Sequence, residues 1–293
     1  MFKKPGSRMI KDPRDIRIGD VIRSFCEKGC VCIIGYPWDW TTAGRPGSRY
    51  APSKIRDYFY SMSPLSDKRV CDPGDVDVVP GDLETSSLRL KSSIRKLCEN
   101  CNSIFTIGGD HSLTAVTVES LMEGFGLGRI GLLVFDAHFD LRKLSEGWSS
   151  GTYLRSLLEK LNGKIIPLII GVRYHSNPSY MFEEAKKLGV EFITSDEFKM
   201  SELDVIFDKV DKVLSGVENL YISVDMDSLD QCTGVNSPSP GGLDVWDIIK
   251  VMDHVFQKKR LVGGDVVEVV PLIDVGDYCT RSAAYILYKM VYG

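Results

Sequence analysis

The chain has 293 residues, 43% hydrophobic and 26% charged, an ordinary globular composition with enough apolar material for a large core. A formal net charge of −4 supplies no basic surface, so no nucleic-acid partner is expected. No apolar run reaches membrane-spanning length, so no membrane partner is expected, and the basic, polar start over residues 1–17 lacks the apolar stretch of a signal peptide.

From the N-terminus, segment 30–36 is a continuous apolar run and is predicted as a strand. A helix over 52–60 follows, with Pro52 where a first turn tolerates proline. The spacing then predicts a helix over 86–99 before a strand over 103–107. A helix over 112–123 precedes a strand over 130–136, and a helix over 152–161 precedes one over 165–171. Helices over 178–188 and 202–214 lead to a strand over 220–225. A helix over 245–257, a strand over 266–270 and a helix over 281–292 complete the pattern. The strands are too continuously apolar for a half-exposed sheet and suit one covered on both faces. Alternating strand and helix predicts the α/β class: a doubly wound, mostly parallel sheet with helices on both faces. No linker or repeat divides the chain, so one domain over 1–293 is expected.

Eight cysteines are too sparse for a disulfide scaffold. Cys98 and Cys101 form a CxxC at the end of a predicted helix. With no second CxxC or nearby histidine, they are expected as buried or reduced thiols. The expected compartment is the cytoplasm, and Cys232 is expected as a packed loop thiol.

Three short segments concentrate the chemistry: Gly108-Gly109-Asp110-His111-Ser112, Asp136-Ala137-His138-Phe139-Asp140 and Ser223-Val224-Asp225-Met226-Asp227. Each follows or ends a predicted strand, and open α/β sheets bind ligands beyond the carboxyl ends of their strands. In an extended segment, Asp136, His138 and Asp140 alternate onto one side. Alone, such a motif would equally be a charged strand-end turn; three together are what matters. Four carboxylates repel one another unless cations neutralise them, and two divalent ions balance Asp136, Asp140, Asp225 and Asp227. Adding His111 and His138 gives an oxygen-rich, hard donor set that favours Mn2+, with zinc, cobalt and iron left open. A metal pair implies hydrolysis. Asp110 caps a helix or orients a ligand; Asp230 is a cap, a turn residue or a support for the ligands.

The three segments resemble the metal signatures of the ureohydrolase superfamily, which includes arginase and agmatinase, and the likeness spans nearly the whole chain. Gly35-Tyr36-Pro37-Trp38-Asp39 and Gly44-Arg45-Pro46-Gly47-Ser48-Arg49 resemble its N-terminal loop. Glu268-Val269-Val270-Pro271-Leu272-Ile273-Asp274 resembles a late signature in which Val270 replaces an asparagine. The resemblance implies an arginase-like three-layer fold and two Mn2+ sharing a hydroxide that attacks an amidine or guanidine carbon. It also implies Asp140 as proton carrier, Glu268 as catalytic anchor of the cationic amidine, and a homo-oligomer, trimer or hexamer.

One departure separates the branches. Arginases and agmatinases carry a histidine just before the glycine after the second signature, whereas Trp148-Ser149-Ser150-Gly151-Thr152 places Ser150 there. Of the four histidines, His175 and His254 lie outside the signatures, and His254 is expected to be structural. Asp136–Arg142, the stretch around Ser150 and Gly151, and Gly171-Val172-Arg173-Tyr174-His175 look like the formimidoylglutamase branch. That likeness implies hydrolysis of N-formimino-L-glutamate to L-glutamate and formamide, in histidine degradation. The substrate has two carboxylates, for which Arg142 and Arg173 are candidate clamps; Ser150, Gly151 and Glu268 are the other candidate substrate-binding residues. The alternatives are a guanidino hydrolase releasing urea, such as an agmatinase, and a non-catalytic metal-binding scaffold.

Overall fold

A computed structural model describes residue 12 and residues 14–293; most of the basic N-terminal stretch lies outside the described residues. Eight strands form one sheet: β1 (Cys30–Gly35), β2 (Val70–Cys71), β3 (Cys101–Ile107), β4 (Ile130–Phe135), β5 (Ile165–Val172), β6 (Glu191–Thr194), β7 (Asn219–Asp225) and β8 (Arg260–Val267). Their order is β2-β1-β3-β8-β7-β4-β5-β6, and every neighbouring pair is parallel. Parallel pairing requires crossovers, and these are supplied by α2 (Ala51–Ser61), α3 (Leu83–Cys98), α4 (Leu113–Gly124), α5 (Tyr153–Lys160), α6 (Tyr180–Lys187), α7 (Ser195–Met200), α8 (Leu203–Leu214) and α9 (Val245–Phe256), while α1 (Ile18–Val21) precedes the first strand and α10 (Tyr278–Tyr292) follows the last.

The helices divide between two faces. Successive residues of β4 alternate between two apolar clusters, Leu133 and Phe135 in one, Leu132 and Val134 in the other. The first cluster holds Ile55 and Phe59 of α2, Ile206, Val210 and Leu214 of α8, and the buried sides of α9 and α10. The second holds Leu90 and Ile94 of α3, Val118 and Leu121 of α4, and Leu154 and Leu157 of α5. The i, i+4, i+8 stripe on α8 shows how each amphipathic helix covers the sheet. Three layers result, as the alternation of elements predicts. No helix of the described residues is long and apolar enough to cross a membrane.

Two short edge strands, β2 and β6, and the helix α7 go beyond the sequence prediction. Strand β8 begins six residues earlier than expected (266 predicted, 260 observed) because Gly263 and Gly264 lie inside it. A Cβ on Gly263 would come within 2.5 Å of the Ile104 carbonyl, so neighbouring backbone fills the space a side chain would need. Cys98 and Cys101 are free thiols, as expected, while Cys26 and Cys71 form a disulfide that the sequence did not suggest.

Candidate metal centre

Strands β3, β8, β7 and β4 are adjacent, and all three sequence signatures leave their carboxyl ends. At β3 the chain turns through Gly108 and Gly109. Gly109 packs so closely on the loop after β1 that a Cβ there would lie 1.7 Å from the Trp38 carbonyl oxygen. Asp110 turns away from the centre: its carboxylate accepts from Ser112 N (3.1 Å) and Thr41 Oγ1 (2.8 Å), fastening the turn to that loop. This is the orienting role, and it leaves His111 pointing inward.

His111 Nδ1 lies 3.1 Å from Asp136 Oδ2, 3.1 Å from Asp225 Oδ2 and 3.3 Å from Asp140 Oδ2. Its other nitrogen, Nε2, is 2.8 Å from Ser223 Oγ, and that hydroxyl donates to Asp265 Oδ1 at 2.6 Å. Because the serine proton is committed to Asp265, the serine oxygen accepts Nε2–H. Nδ1 therefore faces three carboxylate oxygens without a hydrogen-bond partner, and in the neutral ring it presents them a bare lone pair. Such an arrangement is repulsive until a cation lies among the atoms. A second group adjoins it: His138 Nδ1 is 3.0 Å from Asp227 Oδ2 and 3.5 Å from Asp136 Oδ1. His111, Asp136 and Asp225 form one set able to hold a metal ion, and Asp136, His138 and Asp227 another. Asp136 belongs to both, facing His111 with one oxygen and His138 with the other. Donor atoms and charge thus fit two adjacent divalent cations.

The electrostatics carry the same imbalance. Burial and the Asp136 charge push the Asp140 pKa up to about 6. Burial and neighbouring carboxylates raise Asp225 and Glu268 well above the ordinary carboxylate range. Burial opposes ionisation of Asp136, but the two imidazoles override it and hold its carboxyl low. For both His111 and His138 burial opposes a positive charge, but the surrounding acidic groups outweigh it and raise the pKa. Without metal, the centre draws in protons.

A cleft of about 210 Å³ opens above these atoms, with His138, Asp140, Asp225, Asp227 and Glu268 at its floor and Arg142, Ser150 and Gly151 on its wall. Asp140 and Glu268 both hold left-handed backbone, with φ of 52° and 67°. For a residue with a Cβ this costs on the order of 1 kcal/mol, and such strain gathers where side chains must be aimed. Glu268 Oε1 accepts from His111 N and Oε2 from Asn236 Nδ2, each at 2.7 Å. Ser150 Oγ accepts from Ala43 N at 3.0 Å, tying the wall to the N-terminal loop. Arg142 is solvent-exposed, and its guanidinium has no ion-pair partner among the described residues.

The arginase family model matches residues 30–292. The chain belongs to the arginase family. Formimidoylglutamase from Halalkalibacterium halodurans is 32% identical over 278 residues, covering 89% of this chain and 86% of that protein. The crystal structure of formimidoylglutamase from Bacillus subtilis superposes with a TM-score of 0.90 at 26% identity, covering 99% of this chain and 95% of that one. Proclavaminate amidino hydrolase from Streptomyces clavuligerus superposes with a TM-score of 0.83 at 27% identity, over 99% and 98% of the two chains.

In this arginase-family protein the candidate residues from sequence converge, with one exception. Arg173 is buried beneath the third signature rather than in the cleft. Its Nη1 donates to Asp227 O at 2.7 Å and its Nη2 to Ser228 O at 2.8 Å. The expected carboxylate clamp is here a buried brace for the loop that carries Asp227. The cause is local: the β5–β6 register slips at Gly171, whose φ is 108°, and the irregularity re-aims the residues after it. Asp230 is a turn residue, accepting from Gly241 N at 2.5 Å and Gly242 N at 3.2 Å. His254 stacks on Phe207 with ring centroids 4.1 Å apart and reaches Asp211, a structural position.

Three residues at the site escaped the sequence. Asn236 anchors Glu268. Asp265 fixes the tautomer of His111. Asn177 donates to Ala137 O at 2.8 Å and accepts from Phe139 N at 3.2 Å, holding the second signature. Asp265 had a signal, an acid inside an apolar strand; the two asparagines lie in loops without one.

Proposed function

We propose that this protein hydrolyses N-formimino-L-glutamate to L-glutamate and formamide. The observation that carries the reading is the pairing, across one cleft, of the carboxylate–imidazole cluster with the unpaired guanidinium of Arg142. A cation there attracts a substrate carboxylate and repels the amine tail of agmatine. The formimidoylglutamase relatives point the same way.

The proposed metal ligands are His111, Asp136, Asp140 and Asp225 for one ion, and Asp136, His138 and Asp227 for the other. The hard, oxygen-rich donors suit manganese. When bound, the ions supply a water of lowered pKa, a nucleophile at neutral pH. This chain's own residues do the rest. Glu268, buried and already gripped by His111 N and Asn236, presents its remaining lone pairs to the amidinium. Asp140, on the cleft floor beside His138, takes a proton from the attacking water and returns it to the departing glutamate nitrogen. Arg142 orients the substrate through a carboxylate, and Ser150 and Gly151 shape the wall beside it. In the same proposal the chain acts in the cytoplasm as one catalytic domain and assembles into a homo-oligomer, trimer or hexamer.

Steady-state kinetics of Arg142→Met test the clamp. The account expects KM for N-formimino-L-glutamate to rise roughly 10- to 100-fold, the loss of one charge-assisted pair, with kcat little changed. An unchanged KM would remove Arg142 from the binding site.

A further inference from the structure

A second cluster of ligating side chains lies at the opposite end of the sheet. Strands β2, β1 and β3 are neighbours, with Cys32 in register with Cys71 and Cys30 with Cys101. All four cysteines point to the same face, among the residues of one apolar cluster. Cys26, in the segment before β1, reaches the same spot and is bonded to Cys71. Cys26 Sγ is 3.6 Å from Cys32 Sγ, and Cys30 Sγ is 3.4 Å from Cys71 Sγ and 3.3 Å from Cys101 Sγ. Five of the chain's eight cysteines therefore share one pocket of the fold.

We propose that the reduced chain binds one thiophilic divalent cation, zinc by its donor set, through Cys26, Cys32, Cys71 and Cys101. The four sulfurs all lie within 4.8 Å of one another. Zinc–sulfur bonds of about 2.3 Å in a tetrahedron put sulfurs roughly 3.8 Å apart, so small side-chain movements suffice. Isolated buried cysteines pack as small hydrophobes; a closed shell of sulfurs from three strands and a preceding segment is the donor set of a structural zinc site. Soft thiolates select against manganese, so this site and the carboxylate centre would take different ions from one solution.

The Cys26–Cys71 bond and tetrathiolate binding exclude each other. Loading first needs a phosphine or dithiol reductant to deliver two electrons and two protons to the disulfide. The four thiols then lose four protons as they bind the cation. Metal binding would tie the segment carrying Cys26 to three strands, as the disulfide does in the oxidised chain.

The test is cobalt titration of the full chain, reduced with a phosphine and stripped by chelator. The expected result is a thiolate-to-cobalt charge-transfer band in the near ultraviolet that saturates at one equivalent and is bleached by zinc. Cobalt at the carboxylate centre gives no such band, since no sulfur is among its candidate ligands. The band is lost in Cys32→Ser and Cys101→Ser and kept in Cys30→Ser. Native mass spectrometry provides a check that needs no variant: one zinc retained by the reduced chain and none at this site once Cys26–Cys71 is oxidised. Absence of the band with all eight thiols titratable, or a band unaffected by Cys32→Ser, would overturn the proposal. The readout is independent of turnover, so failure of the proposed hydrolysis would leave it standing.

Discussion

Ser223 shows how much of the centre depends on residues that would not themselves touch a metal. Its hydroxyl sits between His111 Nε2 and Asp265, at 2.8 and 2.6 Å, and this arrangement makes Nδ1 the nitrogen that faces the carboxylates. Ser223→Ala strands a buried N–H and removes a donor from a buried carboxylate. Partners of this kind typically govern metal affinity by 10–100-fold. We expect Mn2+ affinity, measured by calorimetric titration, to fall by roughly 10-fold or more; an unchanged affinity would mean that another group holds the tautomer. Asp140 and Glu268 make the complementary point, since both hold φ values that favour glycine. Side chains with functions to perform stand there, and the surrounding hydrogen bonds offset the strain.

At the scale of elements, legibility followed physical distinctness. The central strands are mostly apolar and buried on both faces along nearly their whole length, so β1, β3, β4, β5 and β7 could be read directly. The start of β8 was hidden because close backbone approach demands glycine at 263 and 264, and glycine normally signals a turn. Two-residue β2 and four-residue β6 are edge strands too short to set a period. The metal signatures were legible because alternate residues of an extended strand end face one way. Asn236 was not, because it reaches Glu268 across a sequence separation of 32 and no local pattern encodes that contact. Arg173 was misjudged for a related reason: its strand-end position suggested the cleft, but the register slip at Gly171 turns it under the neighbouring loop.

For the whole molecule, the buried acidic centre links metal, proton and stability. The Asp140 pKa is raised from 3.8 to about 6, so folding is favoured by a bound proton below about pH 4, and that contribution is lost as pH rises through 6. Asp225 and Glu268 are raised and act in the same direction. Asp136 is lowered and acts oppositely, but its window lies below 3.8 and is complete by pH 5. The metal-free protein should therefore lose stability between pH 5 and pH 7.5, by roughly 1.4 kcal/mol from Asp140 alone, about half of its full contribution. Thermal denaturation with chelator should show Tm falling across that range, and Mn2+ at pH 7.5 should restore it. A metal-free Tm that rises with pH would contradict this electrostatic account.

The most direct test of the proposed reaction is product identification. The Mn2+-loaded protein would be incubated separately with N-formimino-L-glutamate, agmatine and arginine, and the products read by mass spectrometry. The account predicts L-glutamate and formamide from the first and no urea from the others. Urea from agmatine or arginine, with N-formimino-L-glutamate untouched, would contradict it and show that neither Arg142 nor Ser150 marks the substrate.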